Sequence, residues 1–595
     1  MGKQLLMGNE AIGLGAIHAG VDVVCGYPGT PSTEILETVA KNNPGDVYVE
    51  WSTNEKAALE VGAGAAYAGR RVLVTMKQVG LNVASDPLMS LAYIGVKGGM
   101  VIAVADDPGP ISSQTEQDTR HFAHFSKLPV FDPSSPEEAY EMIGDAFDYS
   151  EKYHTPVLFR PTTRVCHACA SIEVKPRRTK DVPEGFVKDS KWVIFPRLSY
   201  QAHRNIEQRN PQIGEDFSGY RFNYICGSGK KGVVSGGISY AYTCEALGET
   251  PVRLMKISTP YPFPEKLALQ FLEGLDEVLV VEELDPVLER ELIYLCGKHH
   301  LPVTVKGKLT GDIQPAGENT VASVRGALER FLGLETSAMQ PIEKPDLPIR
   351  PPVLCAGCPH RASFYAVKQA MKSRKAVFSG DIGCYTLGNA APLGMVDTCL
   401  CMGAGVTVAQ GLHRAQPDAV NFAFIGDSTF FASGITGVVN AVYNETDIVL
   451  IVLDNSTTAM TGHQPHPGTG VTMMGEVSQK ISIPAVLEAI GVKSVVTVDP
   501  LDLEKAVDAV KTAAELKGVS AVIFKSPCIA VTKPAPLYHV DEEKCIGCKK
   551  CIRELGCPAI VYKGNKAYIE PSLCYGCSIC SQVCPVGAIG GAQHE

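Results

Sequence analysis

No apolar run in the 595 residues approaches the roughly 20 needed to cross a bilayer, which excludes a membrane-spanning helix as an organising element. A basic surplus is also missing. Lys and Arg number 54 against 64 Asp and Glu, a net charge of −10, and that balance excludes general nucleic-acid binding. Met1 to Gly20 lack the basic region, apolar stretch and cleavage site of a secretory leader, so they are expected to belong to the first domain and the chain to stay in the cytoplasm. A dinucleotide fingerprint is absent too: Gly232 to Gly237 (GVVSGG) is too loose and is expected to open a strand. What remains is 45% hydrophobic and 20% charged, a soluble globular composition with length for about four domains.

Cysteine, by contrast, is plentiful, with 20 in the chain. Cys545, Cys548 and Cys551 form a CxxCxxC run followed by Cys557-Pro558, and the pattern returns as Cys574, Cys577, Cys580 and Cys584-Pro585. That is the ligand spacing of a two-cluster bacterial-type ferredoxin. Three closely spaced thiolates can take adjacent corners of one cubane, while the cysteine before proline closes the opposite one. The expected [4Fe-4S] sets are Cys545, Cys548, Cys551 and Cys584, and Cys574, Cys577, Cys580 and Cys557. The first run is irregular, with five residues rather than three between Cys551 and Cys557, which lengthens only the approach to the second cluster. Zinc knuckles would need only paired CxxC units, and disulfides are disfavoured in a reducing compartment.

Most of the chain alternates short β-branched runs with longer amphipathic stretches, as at Val72 to Met76, Met100 to Ala105, Val449 to Leu453 and Ala521 to Phe524. Parallel sheets flanked by helices are expected, so the fold class is α/β and multidomain. Three proline-bearing segments, Ile172 to Pro196, Pro341 to Pro352 and Thr532 to His539, read as semi-rigid linkers. They leave pieces at 1–170, 195–338, 353–530 and 536–595.

In the third piece, Val420 to Ile425 runs into Gly426-Asp427-Ser428, and Ile448 to Leu453 runs into Asp454-Asn455. Ligands gather at the carboxyl ends of strands in open parallel sheets, so Asp427 and Asn455 can meet at one site. The Asp427 carboxylate, the Asn455 side-chain carbonyl and the Thr457 backbone carbonyl would offer Mg2+ hard oxygens, leaving the rest to a diphosphate and water. A plain strand-to-helix turn capped by Asp or Ser is the alternative.

Taken with Asn455 to Gln464 (NSTTAMTGHQ) and the cysteines, this turn resembles the thiamine diphosphate motif, which begins with GDG and ends in Asn; Ser428 stands in place of the second glycine. The chain as a whole resembles the 2-oxoacid:ferredoxin oxidoreductases, and among them the large, alpha subunit of the indolepyruvate enzymes. That resemblance implies a thiamine pyrimidine domain, a transketolase C-terminal-like domain, a thiamine pyrophosphate/Mg domain and a two-cluster ferredoxin domain for the four pieces in order. Tyr27-Pro28-Gly29-Thr30-Pro31-Ser32 resembles the family's YPITPS loop, which implies Tyr27 and Pro28 at the cofactor and Thr30 at the substrate's carboxylate and keto group; Gly29 replaces isoleucine. Glu55 is implied as the acid on the pyrimidine ring nitrogen, with Glu60 as its competitor. Such a glutamate needs a raised pKa. Gly403, in Met402 to Gly405, is implied as a cofactor contact beside Gly426 and Ser428. Cys355, Cys358, Cys384 and Cys528 match the family order for a third, proximal [4Fe-4S] cluster.

The implied reaction is oxidative decarboxylation of arylpyruvates with coenzyme A to arylacetyl-CoA, electrons leaving for an external ferredoxin. The implied partner is a smaller beta subunit in a heterotetramer. Another 2-oxoacid (pyruvate, 2-oxoglutarate or a branched-chain acid) and an electron-transfer subunit with a degenerate thiamine site stay open as alternatives. Of the other cysteines, Cys166 and Cys169 form one isolated CxxC around His167, and Cys399 and Cys401 read as wall. Cys25, Cys226, Cys244 and Cys296 read as core.

Overall fold

The computed structural model describes residues 2–179, 184–334, 345–348 and 350–591. The chain divides into two compact units, residues 1–343 and 344–595. Of the expected linker Pro341 to Pro352, positions 341–344 and 349 lie outside the described residues.

The first unit contains two sheets. One has six parallel strands in the order Tyr48–Trp51, Val23–Gly26, Val72–Lys77, Met100–Ala105, Val157–Phe159 and Val130–Phe131. Met100–Ala105 is buried at every position, which is why it reads as an unbroken apolar run rather than an alternating one. Helix Glu55–Tyr67 lies close against the sheet because its small residues leave room: a Cβ on Gly62 would stand 2.8 Å from Val74 Cγ2. Strand Cys169–Glu173 pairs antiparallel with Lys3–Met7, so the first piece runs to Glu173, past the expected linker start at Ile172. Ile172 is fixed there by packing with Leu6, Ala11 and Tyr140.

The second sheet runs Thr304–Lys306, Glu277–Val281, Lys231–Ser235, Arg253–Lys256 and Tyr224–Cys226, the last antiparallel. The GVVSGG segment supplies strand Lys231–Ser235 and the start of helix Gly237–Leu247. Cys226 and Cys244 are exposed, contrary to the core expectation, because Cys226 sits on an edge strand and Cys244 on the outer face of that helix; Cys25 and Cys296 are buried. Arg120, 2% exposed, joins the two sheets by donating to Asp118 Oδ2 and Glu282 Oε2, each at 2.6 Å, and to the carbonyls of Glu283 and Asp285.

In the second unit, five parallel strands run in the order Ala376–Ser379, Val420–Gly426, Ile448–Asp454, Val519–Lys525 and Ser494–Val498. The C-terminal repeat folds as two short antiparallel pairs, Tyr538–Val540 with Ile589–Gly591 and Ile560–Lys563 with Lys566–Ile569. Each CxxCxxC run ends inside a short helix, Cys551 in Lys550–Leu555 and Cys580 in Ile579–Val583. No helix among the described residues is long and apolar enough to cross a membrane.

Candidate functional site

Four neighbouring strands of the second unit release their chain at the same carboxyl edge, and every release point bears a polar or thiol side chain. Ala376–Ser379 leads to Asp381 and Cys384, Val420–Gly426 to Asp427, Ile448–Asp454 to Asn455, and Val519–Lys525 to Cys528. That edge is where an open parallel sheet binds ligands. Asp427 is 3% exposed; its Oδ1 accepts from Ser428 N and its Oδ2 from Ser456 N, each at 2.8 Å. Ser456 reaches that position in a left-handed conformation (φ 61°), costing about 1–3 kcal/mol for a non-glycine residue. Asn455 and Thr457 are buried beside it, Thr457 N donating to Asn455 Oδ1 at 3.3 Å. Burial pushes the Asp427 carboxyl above the usual carboxylate range. A buried, oxygen-rich pocket of this kind suits a divalent cation, so the donor set fits Mg2+.

Two residues absent from the sequence expectation complete this edge. Asp381 accepts from Tyr385 Oη at 2.9 Å and from Gly403 N at 2.7 Å, and burial pushes its carboxyl up to about 6. Its signal was present: Gly380-Asp381 follows an apolar strand as Gly426-Asp427 does. Gly403 takes φ +83°, and a Cβ there would stand 2.3 Å from Ser433 Oγ. His466, 9% exposed, accepts from Gly468 N through Nδ1 and sets Nε2 obliquely against Asp427 Oδ2 at 3.1 Å.

All 20 cysteines are free thiols. Cys545, Cys548, Cys551 and Cys584 line one cavity. Cys557, Cys574, Cys577 and Cys580 line another, which Cys358 also borders. Burial pushes Cys551 up to about 11, with further rises from Cys548, Cys584 and Cys545. Burial likewise takes Cys580 to about 12, with added repulsion from Cys577, Cys557 and Cys574 and least from Cys551. The thiols therefore group in two crossed sets, each run's three lining one cavity with the cysteine that follows the other run. Among the scattered four, burial raises Cys384 to about 11, Cys528 and Cys355 adding to the rise; Cys358 reaches about 12 by burial, with Cys355 contributing. Thiols that raise one another's pKa have thiolates that repel, and a cationic iron cubane relieves that repulsion, so the donor sets fit iron–sulfur ligation. Cys528 N donates to Asn455 O at 2.9 Å, tying the fourth thiol to the Asp427 loop.

In the first unit, Tyr27 and Pro28 are buried at the end of strand Val23–Gly26, and Thr30 is half-buried, its carbonyl accepting from Ser112 Oγ at 3.2 Å. Glu55 opens its helix behind the Asn54 cap, whose side chain accepts from Ala57 N at 2.8 Å. Glu55 is 8% exposed, and burial pushes its carboxyl up to about 7, partly offset by its own backbone N–H and by Lys77. Gly80 permits this placement: a Cβ there would stand 2.5 Å from Glu55 Oε1. Glu60 faces solvent and pairs with Lys56. Lys77 was missed by sequence reasoning. Its stem lies over Gly29, where a Cβ would meet Lys77 Cδ at 2.9 Å, so an isoleucine at that position would displace it.

The family described as "Pyruvate flavodoxin/ferredoxin oxidoreductase, thiamine diP-bdg" matches residues 14–204. "Thiamine pyrophosphate enzyme, C-terminal TPP binding domain" matches 381–524, and "4Fe-4S binding domain" matches 567–590. Indolepyruvate oxidoreductase subunit IorA of Methanothermobacter thermautotrophicus is 43% identical over 99% of this chain and 97% of its own length. The corresponding subunit of Pyrococcus horikoshii is 41% identical over 98% and 96%. That of Archaeoglobus fulgidus is 40% identical over 100% and 98%. The chain is thus part of a thiamine diphosphate-dependent 2-oxoacid:ferredoxin oxidoreductase with iron–sulfur electron transfer. With 40–43% identity held over nearly its full length, it belongs to the indolepyruvate oxidoreductase IorA family.

Proposed function

We propose that this chain oxidatively decarboxylates arylpyruvates, indolepyruvate foremost, and transfers the acyl group to coenzyme A. The bond between the keto and carboxyl carbons breaks to release CO2, a thioester bond forms to the CoA sulfur, and the electron pair with one proton leaves the organic reactants. Three [4Fe-4S] sites, held by Cys355, Cys358, Cys384 and Cys528, by Cys557, Cys574, Cys577 and Cys580, and by Cys545, Cys548, Cys551 and Cys584, carry the electrons to ferredoxin. What carries this reading is the bond from Cys528 N to Asn455 O, which joins a thiol of the scattered set to the loop of the Asp427 site.

Asp427, Asn455 and Thr457 would hold Mg2+ and the diphosphate, with Gly403, Gly426 and Ser428 around them. Tyr27, Pro28 and Glu55 serve the pyrimidine end, and Thr30 meets the substrate. When bound, thiamine diphosphate supplies the electron sink for loss of CO2. Glu55, with its proton held to about pH 7, can share that proton with a ring nitrogen at neutral pH. The segments 1–170, 195–338, 353–530 and 536–595 act as the four domains, a smaller subunit of the same enzyme completes the coenzyme A side in a heterotetramer, and the thiol-rich sites suit the reducing cytoplasm.

The test is iron and thiamine quantitation on anaerobically purified protein, followed by CoA-dependent dye reduction with indolepyruvate, phenylpyruvate, pyruvate, 2-oxoglutarate and a branched-chain 2-oxoacid in the presence of the small subunit. About twelve irons per chain and preference for the aryl substrates are expected. Preference for pyruvate sinks the aryl assignment, and failure to retain thiamine and Mg2+ revives a pure electron-transfer role.

A further inference from the structure

Arg361 is 6% exposed and lies on helix Pro359–Ala370, just beyond Cys358. Its Nη2 donates to Leu354 O at 2.6 Å and to Cys355 O at 3.4 Å. Its Nη1 donates to Leu555 O at 2.6 Å and to Gly556 O at 2.9 Å. One side of the guanidinium therefore grips the loop bearing Cys355 and Cys358, and the other grips the turn that delivers Cys557. All of these acceptors are neutral carbonyls. Among the described residues no carboxylate pairs with Arg361, and its buried Nε–H finds no acceptor.

The surroundings are apolar, with Ala362, Tyr365, Leu555, Ile579 and Val583 packed together alongside. A guanidinium buried without an anion is costly, so the position calls for a counter-charge. The cavity it lines supplies one on each side. Cys358 and the set Cys557, Cys574, Cys577 and Cys580 share that cavity with Arg361, and its charge acts on both Cys358 and Cys577.

We infer that Arg361 is the shared counter-cation of the cluster held by Cys355, Cys358, Cys384 and Cys528 and the cluster held by Cys557, Cys574, Cys577 and Cys580, raising both reduction potentials and fixing their separation. The inference rests on the three-cluster reading above. Four thiolates outweigh the charge of a cubane, so each ligated cluster is a net anion that becomes more negative on reduction. A cation held in a dry seam favours the reduced form of both. The cavity of Cys545, Cys548, Cys551 and Cys584 does not include Arg361, which makes the third cluster an internal control.

The test is an EPR-monitored redox titration of the anaerobic holoprotein, comparing the parent with Arg361→Gln and Arg361→Lys. Arg361→Gln is expected to lower both flanking clusters by on the order of tenfold in their one-electron equilibrium, ~59 mV, and to leave the third unmoved. Arg361→Lys keeps the charge without the fork and is expected to recover most of that loss. Unmoved potentials, or an equal drop in all three clusters, would overturn the inference. Parent protein labelled with 15N-arginine supplies an arm that needs no variant to fold: a nitrogen hyperfine coupling on the reduced Cys557-containing cluster supports the contact, and its absence refutes it. Iron analysis separates the two failures. Fewer than about twelve irons per parent chain overturns the three-cluster reading and the inference with it, whereas about twelve irons with unmoved potentials overturns the inference alone.

Discussion

Glu55→Gln exchanges an ionisable oxygen for an amide while keeping the shape of the side chain and the Asn54 cap that starts its helix. Burial holds the Glu55 carboxyl at about 7 against an ordinary 4.5, a gap worth roughly 3 kcal/mol against its ionised form. Because the folded state binds this proton more tightly than the unfolded chain, no penalty exists below about pH 4.5. Stability then falls as pH climbs toward 7, and the full roughly 3 kcal/mol cost is present above it. Glutamine carries no such cost. In thiamine-free protein, helix Glu55–Tyr67 is therefore expected to resist amide hydrogen exchange more strongly in the variant at pH 8, and nearly equally at pH 5. Turnover should move the opposite way, falling roughly 10²- to 10⁴-fold with iron content unchanged, since a positioned proton donor is lost. Glu60→Gln is the control, because an exposed pair with Lys56 contributes at most about 1 kcal/mol. Full turnover in Glu55→Gln, or a protection difference indifferent to pH, would refute the reasoning.

Cys528→Ser is expected to drop iron from about twelve to about eight per chain while thiamine is retained, because the bond to Asn455 uses the backbone; undiminished iron would remove Cys528 from the ligand set. Gly403→Ala places a methyl against Ser433 in a left-handed backbone, at about 1–3 kcal/mol, and weaker thiamine retention by equilibrium dialysis is the check. Arg120→Met strands Asp118 and Glu282 as buried unpaired carboxylates, so the urea midpoint of the first unit should fall by the equivalent of about 3–5 kcal/mol; an unchanged midpoint would show that the network adds nothing.

The grouping of the C-terminal thiols around two cavities was legible because it follows from short-range spacing. Each run puts three thiols on one turn and its short helix, and the cysteine before proline lines the other run's cavity. The parallel-sheet strands were legible for a similar reason, since burial on both faces leaves continuous β-branched runs such as Met100–Ala105. Sequence misjudged Cys226 and Cys244, because local hydrophobicity does not say which strand lies at a sheet edge. The linker start at Ile172 was misplaced because its partner strand, Lys3–Met7, lies at the far end of the domain in sequence.

The sequence by itself determined the family, the two terminal thiol sets and the strand-to-turn positions of Asp427 and Asn455. The sequence favoured Glu55 over Glu60, and tertiary structure adds the difference in what covers them: one lies buried against Gly80, the other in water beside Lys56. Cys384 and Cys528 lie far apart in the chain and come to one edge because parallel strands end there, while Cys355 reaches Cys384 from the loop ahead of helix Pro359–Ala370. Asp381, His466, Lys77 and Arg361 each meet a residue distant in the chain, namely Gly403, Asp427, Gly29 and Leu555, which no local pattern announces. Water masks a charge at the surface, while a dry interior lets the same charge set the proton affinity or reduction potential of its neighbours.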